Sequence, residues 1–346
     1  MVRLHVVIPV LSLHRGGGCR VLIELANQLV DRGHRVDVVM LEREPVAWPL
    51  RCQVTRVPAL TASVIPECDL ILPNFWPTVL PAVASGKGRV VRWSNGFEPL
   101  WVAQREEALR TYQMGLPVIT LGPHLRRVIR ESTGQDSFIA QPGVDGSIFR
   151  PLDLPRAPGR RVFFIYRSEA HGYHYKGNAD LVEAMRRVMQ VEPRVHLMLV
   201  GTEQDTPGTP PISLPIPFHA AAAKTDAEMA QVYNQADLYV LASWFEALSI
   251  PPLEAMACGT PVVLTDCGGT SDYARPGENC LIAPPRRPDL LAELILTGLR
   301  NQPLRERLIQ GGKATAAQWT WERFGDQVEA ALYAILGGAT EPPAEV

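Results

Sequence analysis

The sequence predicts an α/β protein built from two doubly wound, Rossmann-like domains facing across a cleft. Three observations carry this expectation. A length of 346 residues corresponds to about two domains at roughly 150 residues each. The first forty or so residues switch from strand to helical to strand periodicity, and the same alternation restarts after a proline-rich stretch near residue 151.

Leu4–Val10 is an apolar, β-rich run that Gly16-Gly17-Gly18 breaks. Val21, Leu22, Leu25, Ala26 and Leu29 then recur at helical spacing, and Gly33 is suited to the left-handed residue that ends a helix. Arg35–Leu41 returns as a strand, so the segment is a βαβ unit and its sheet is parallel. Further strand-like runs at Leu70–Leu72, Arg89–Trp93, Val118–Leu121 and Phe138–Gln141 complete a first domain over residues 1–150. Three prolines and a glycine between 151 and 159 read as a linker, placed at 151–160.

The second domain, 161–320, repeats the pattern. Strands are expected at Arg161–Tyr166, Val195–Val200, Leu238–Leu241 and Pro261–Leu264, and helices at Ala179–Met189, Asp226–Gln235 and around Leu253–Ala257. Thr206–Pro217 is proline-dense and reads as a surface loop, and 337–346 as a flexible polar tail.

Composition excludes several classes. With 46% hydrophobic and 20% charged residues the chain folds rather than staying disordered. A net charge of −2 lacks the basic excess of a dedicated nucleic-acid binder, so no nucleic-acid partner is expected. The six cysteines form no C-x-x-C pair, which suits a reduced compartment and not a zinc site. Neither a signal-peptide pattern nor an apolar run of about 18 residues is present, and the expected location is cytoplasmic. Residues 1–150 are mildly basic; Arg126, Arg127 and Arg130 beside Leu125, Val128 and Ile129 raise the expectation of peripheral contact with an anionic inner membrane face.

In open α/β sheets ligands bind at the carboxyl ends of strands. Gly16, Gly17 and Gly18 follow a strand and open a helix, which suits an anion such as phosphate. They do not form the dinucleotide fingerprint, because the third glycine of that pattern falls on Val21. The run from Trp244 to Pro261 is more informative. Pro251 and Pro252 are tolerated only in a first helical turn, so a helix starts near Ser249 or Ile250 and stops at Gly259-Thr260-Pro261. Glu246 then precedes the helix, Glu254 lies within it, and the N–H groups of Leu248, Ser249 and Ile250 fall between them. On one ideal helix the two carboxylates would be about 12 Å apart along the axis, too far for an acid/base pair and suited to different parts of one long ligand. Carboxylates for hydroxyls at either end of an anion-binding helix tip match a nucleotide sugar. Arg167 and Lys176, after the strand 161–166, are cations placed to neutralise a leaving diphosphate.

With these motifs the chain resembles the retaining GT-B-fold glycosyltransferases of the group 1 family. The resemblance rests on Glu246 and Glu254 with seven residues between, the continuation Glu254–Val263, and the glycine-rich N-terminal loop. It also rests on Gln141–Asp145 followed by Phe149-Arg150-Pro151, on Gly268-Gly269 ahead of Asp272, and on Trp321-Glu322-Arg323-Phe324. The last of these resembles the start of the family's terminal helix, expected here at 321–336 and returning to the first domain.

The resemblance implies that Arg167 and Lys176 hold a donor diphosphate and that Glu246 takes the transferred sugar's hydroxyls. Glu254 would take the ribose and the backbone of Leu248–Ile250 a phosphate. Base contacts are separately expected from loops such as Gly201–Glu203 and Phe218–Ala220. Glu246, Arg167 and Lys176 are thus the expected catalytic residues. No metal or cofactor is implied, and the sequence has no Asp-x-Asp dyad. Two positions depart from the family: Asn95-Gly96 stands where many members carry histidine, and Asp272 where glutamate is usual. Asn95 and His171 are the acceptor-side candidates.

The expected function is transfer of a hexosyl or deoxyhexosyl group from a nucleoside-diphosphate sugar to a glycan or lipid-linked acceptor, with retention. The alternatives are a sugar-nucleotide epimerase of the same fold, a nicotinamide oxidoreductase using Gly16–Gly18 and Glu42, and a non-catalytic glycan-binding scaffold.

Overall fold

The computed structural model describes residues 2–155, 159–169, 172–201 and 212–342. The chain forms two compact units, one of 1–142 with 321–346 and one of 143–320.

In unit 1, β1 (His5–Val10), α1 (Gly17–Asp31), β2 (Arg35–Leu41), β3 (Gln53–Val57) and β4 (Leu70–Ile71) come first. They are followed by α2 (Trp76–Ser85), β5 (Arg89–Val90), β6 (Arg92–Ser94), α3 (Arg105–Tyr112), β7 (Val118–Thr120), α4 (Pro123–Thr133) and β8 (Phe138–Ile139). A five-stranded parallel sheet has the order β3-β2-β1-β4-β5, and β6-β7-β8 form a three-stranded parallel sheet. Burial on both faces explains the near-continuous apolar runs of β1 and β2. Gly33 ends α1 at φ 85°, a conformation that favours glycine.

Unit 2 contains β9 (Arg160–Tyr166), α5 (Asn178–Val191), β10 (Val195–Gly201), β11 (Phe218–Ala220), α6 (Asp226–Gln235) and β12 (Leu238–Leu241). It continues through α7 (Pro251–Ala257), β13 (Val262–Thr265), β14 (Leu281–Ala283), α8 (Pro288–Arg300) and α9 (Gln302–Ala316). Its six parallel strands run β11-β10-β9-β12-β13-β14. Strand order reverses between β9 and β12 in this unit, and between β1 and β4 in unit 1. Those are the positions where adjacent loops part and leave room for a ligand.

The changeover between units falls at Pro142/Gly143, ahead of the 151–160 segment expected as the linker. Residues 143–152 are held by unit 2: Val144 N–H donates to Trp319 O (2.9 Å), Phe149 packs on Tyr233, and Leu152 N–H donates to Asn234 Oδ1 (2.7 Å).

The terminal helix α10 (Trp321–Leu336) belongs to unit 1. Phe324, Val328, Leu332 and Ile335 are buried along one face, and Phe324 meets Trp93 edge-on at 5.8 Å. At its polar side Arg32 donates to Asp326 (2.6 Å), and His34, 4% exposed, lies 3.0 Å from Glu329. Gly325 faces the Arg32 guanidinium, which a Cβ at that position would displace. The start of the segment expected as a flexible tail is also held here, since Arg89 donates to Ala339 O (3.2 Å).

Phe218–Ala220, expected as a base-contacting loop, is instead the edge strand β11, paired with Leu197–Leu199. Thr206–Pro211 of the expected surface loop lie outside the described residues.

Candidate active site

The carboxyl ends of β9 and β12 flank the reversal in unit 2, and of the expected donor residues Arg167, Lys176, Gly201, Glu246, Leu248–Ile250 and Glu254 lie in that unit, whereas Gly16, Gly17 and Gly18 lie in unit 1. Arg167 directly follows β9, and its guanidinium lies 4.0 Å from the centroid of the Tyr173 ring. Lys176 sits in the short 3-10 turn His174–Lys176. Gly177 then closes that turn at φ 71°, so near the Ala242 carbonyl at the end of β12 that a side chain there would strike backbone. The loops after β9 and β12 are further joined by Trp244 N–H donating to Tyr175 O (2.7 Å) and Trp244 Nε1 to Asp180 (2.6 Å).

This local geometry brings two distant residues together. Lys176 Nζ donates to Glu246 Oε1 (2.7 Å), and Ser243 Oγ donates to the same oxygen (2.7 Å). Among the described residues Oε2 of Glu246 has no partner, so one carboxylate oxygen remains for a ligand. Burial by itself would lower the pKa of Lys176, but the Glu246 carboxylate, Tyr175 and the hydrogen bond to Glu246 outweigh it and hold the ammonium above its usual value.

The segment after Glu246 is clamped from the next strand. Glu246 N–H donates to Cys267 O (2.8 Å) and Gly269 N–H donates to Glu246 O (3.0 Å). Gly269 lies against the backbone of Ala247 and Leu248. Ser249 takes φ 81°, rare for a residue with a side chain, and its carbonyl accepts from the buried Tyr273 hydroxyl (3.0 Å). Pro251 and Pro252 occupy the first turn of α7. Leu253 and Glu254 N–H are already taken by Ile250 O, at 2.9 and 3.2 Å. Among the described residues, none accepts from the N–H groups of Leu248, Ser249 or Ile250. A left-handed residue within such a run turns successive N–H groups toward one point, the arrangement that receives an anion. Within α7, Glu254 Oε2 accepts from the hydroxyl of Tyr233 (2.8 Å), a residue with no solvent exposure. Gly201, the last residue of β10, pairs in register with Tyr166 and so lies at the same edge.

Gly16, Gly17, Gly18 and Asn95 are in unit 1. Asn95 Nδ2 donates to Gly18 O (3.0 Å), and its Oδ1 accepts from Trp93 Nε1 (2.8 Å), which fixes the amide. Gly17 and Gly18 are exposed. His171 lies outside the described residues.

The basic helix expected at a membrane is α4, and its packing corrects part of that expectation. Leu125 and Ile129 are fully buried and Arg126 grips Asp136 at 2.6 and 2.7 Å, so the apolar side is core. No helix among the described residues is long and apolar enough to cross a membrane.

Sequence reasoning missed Ser243, Tyr233 and Tyr273. Ser243 was within reach, three residues before Glu246 on the same loop. Tyr233 and Tyr273 carry no local signal, because their partners lie 21 and 24 residues away.

Two parallel-sheet units, each with a strand reversal, match the GT-B class of fold, as superposition on known structures shows. Sucrose-phosphate synthase from Thermosynechococcus elongatus superposes with a TM-score of 0.80 at 20% identity, covering 97% of this chain and 100% of that one. Anabaena Alr3699/HepE, solved in complex with UDP-glucose, superposes with a TM-score of 0.79 at 17% identity, covering 96% and 100%. Residues 162–315, nearly all of unit 2, match the family of glycosyl transferases group 1, and this part of the chain belongs to it. The O-antigen biosynthesis protein RfbC of Myxococcus xanthus is 28% identical over 297 residues, 82% of this chain. The chain spans 22% of the length of RfbC.

Proposed function

We propose that the protein transfers a sugar from a nucleoside-diphosphate sugar to an acceptor, with retention at the anomeric carbon, in the biosynthesis of a glycan, polysaccharide or glycoconjugate. The observation that carries this reading is the grouping at the unit 2 reversal: Glu246 with one oxygen on Lys176 and one open, beside three unpaired N–H groups. Similarity to an O-antigen biosynthesis protein and to a protein solved with UDP-glucose supports it.

In this reading Arg167, Lys176 and the N–H groups of Leu248–Ile250 hold the diphosphate, and no step is routed through a metal. Charge grows on the diphosphate oxygen as its bond to the anomeric carbon breaks, and fixed cations and dipoles stabilise that charge more than the ground state. The acceptor oxygen bonds to the anomeric carbon on the face the diphosphate leaves, and its proton passes to the departing oxygen. Glu246 Oε2 accepts hydrogen bonds from the transferred hexosyl or deoxyhexosyl hydroxyls, and Glu254, held by Tyr233, those of the ribose. Unit 1 supplies the acceptor side, for a glycan or a lipid-linked glycan. Exposed Arg127 and Arg130 on α4 leave a charge-only contact with an anionic membrane, which vesicle sedimentation at low and high salt would detect.

Thermal shift with UDP, GDP, ADP and dTDP, followed by product analysis with the matching sugar nucleotide, tests the proposal. At least one nucleoside diphosphate stabilises the protein, and Glu246→Gln keeps the fold but loses transfer. Absence of any shift, or undiminished turnover in Glu246→Gln, overturns it. Donor isomerised without acceptor would identify an epimerase instead.

A further inference from the structure

Among the described residues only two that carry a side chain take left-handed backbone, Ser249 and Arg286, and both bear on the segment that holds Glu246. Ser249 follows that segment in the chain. Arg286 reaches it from the loop between β14 and α8, with φ at 59°. Glycine adopts this region without cost and arginine does not, so a left-handed arginine points to a use for its side chain.

The loop around it is stiff. Pro284 and Pro285 precede Arg286, and Pro288 opens α8, which fixes φ on both sides of the arginine pair. Arg287 is neutralised by Asp289, at 2.9 and 2.6 Å. Arg286 is exposed and has no carboxylate partner among the described residues; its guanidinium lies 4.2 Å from the centroid of the Trp244 ring.

Trp244 is gripped from other directions as well. Its N–H donates to Tyr175 O (2.7 Å), in the turn that carries Lys176, and its Nε1 donates to Asp180 Oδ2 (2.6 Å), in the first turn of α5. The neighbouring Ser243 donates from Oγ to Glu246 Oε1 (2.7 Å), and its carbonyl accepts from Thr265 Oγ1. The loop from Ser243 to Glu246 is therefore anchored beneath by Thr265 and beside by Lys176. Trp244 anchors it on the outer side, and Arg286 covers Trp244.

We propose that Arg286 is a positioning residue for the Glu246 carboxylate: its guanidinium clamps Trp244, and Trp244 holds the Ser243–Glu246 loop so that Glu246 Oε2 is presented to the ligand. The inference rests on the transferase reading for what Glu246 touches, whereas the clamp is a property of the loop itself. Stacking of an exposed guanidinium on an indole corresponds to about a two- to fivefold preference for the held arrangement. Lysine, a compact charge without a planar face, supplies part of it.

Hydrogen exchange of the peptide covering 243–246, read by mass spectrometry, and donor kinetics with the sugar nucleotide of the best-binding nucleoside diphosphate test the clamp in Arg286→Gly, Arg286→Lys and Arg287→Gln. In Arg286→Gly the protected amides of Trp244 and Glu246 exchange about two- to fivefold faster and kcat falls by a similar factor. Affinity for the nucleoside diphosphate alone, which lacks the sugar, is unchanged. The melting temperature stays near that of the wild type, because glycine relieves the left-handed backbone as the stack is lost. Arg286→Lys recovers part of both losses, and Arg287→Gln matches the wild type. Unchanged exchange in Arg286→Gly overturns the clamp, as does a loss that lysine does not restore or that Arg287→Gln shares. If the wild type transfers no sugar from any donor, the transferase reading fails, and faster, lysine-rescued exchange over 243–246 still upholds the clamp.

Discussion

Replacing Gly269 by alanine sets a methyl group against the backbone carbonyl carbon and oxygen of Ala247 and the nitrogen of Leu248, all closer than the 3.0 Å that real Cβ atoms respect. Neither partner is a flexible side chain, so the strand-end loops themselves must part. Reaching 3.4 Å, the near edge of ordinary contact, needs a displacement of about 1 Å. Overpacking of this kind costs about 1–3 kcal/mol, which for a unit of this size lowers the melting temperature by about 2–12 °C. The displaced segment carries Glu246 and the N–H groups of Leu248–Ile250, and a 1 Å error in a positioned group costs up to about a hundredfold in rate. Calorimetric unfolding and a titration with the best-binding nucleoside diphosphate measure the two effects. Gly146→Ala is the control, because its position has open space and ordinary backbone geometry. A Gly269→Ala protein that melts with the wild type and binds the nucleotide equally would refute the argument that this close approach shapes the site.

Tyr233→Phe removes the hydroxyl that holds Glu254 Oε2; loss of a hydrogen bond to a charged group is worth about 1.5–3 kcal/mol, so the donor KM rises about tenfold or more with kcat changing less. Equal loss in both constants, or in neither, contradicts a positioning role. The folded pKa of Lys176 lies above its ordinary 10.5, so the stability from its pairing with Glu246 is fully present below that pH and is lost as pH rises through the folded value. The melting difference between wild type and Lys176→Met is therefore flat from about pH 6 to 9 and shrinks beyond pH 10.5; a difference that grows with alkali reverses the assignment. Burial pushes the thiols of Cys52 and Cys68 to about 11 and those of Cys258, Cys267 and Cys280 to about 12. Iodoacetamide at about pH 8 should leave these five unmodified in the native protein and label them after denaturation, as read by mass spectrometry.

Much of the architecture was legible in the sequence because it is written in local periodicity. Continuous apolar runs gave β1, β2, β9, β10, β12 and β13, and helical spacing gave α1, α5 and α6 within a few residues. The edge strands β3 and β11 escaped, since they are largely exposed and carry no apolar run. The helix tip was legible for a different reason: paired prolines followed by a glycine admit few placements, so Pro251–Ala257 and the loop before it were fixed by backbone chemistry alone.

Tertiary structure decided what no spacing encodes. Lys176 and Glu246 are 70 residues apart and meet only because β9 and β12 are neighbours at the strand reversal. The apolar residues of α4 could have faced a membrane or a core, and packing chose the core. Residues 143–152 join unit 2 through hydrogen bonds to α6 and to Trp319, partners a composition count does not see. The sequence by itself determined most of the buried strands and helices and the position of the helix tip, because backbone propensity acts over a few residues. Which side chains share a hydrogen bond was left to the crossing of distant strands, where contact depends on topology and not on proximity along the chain.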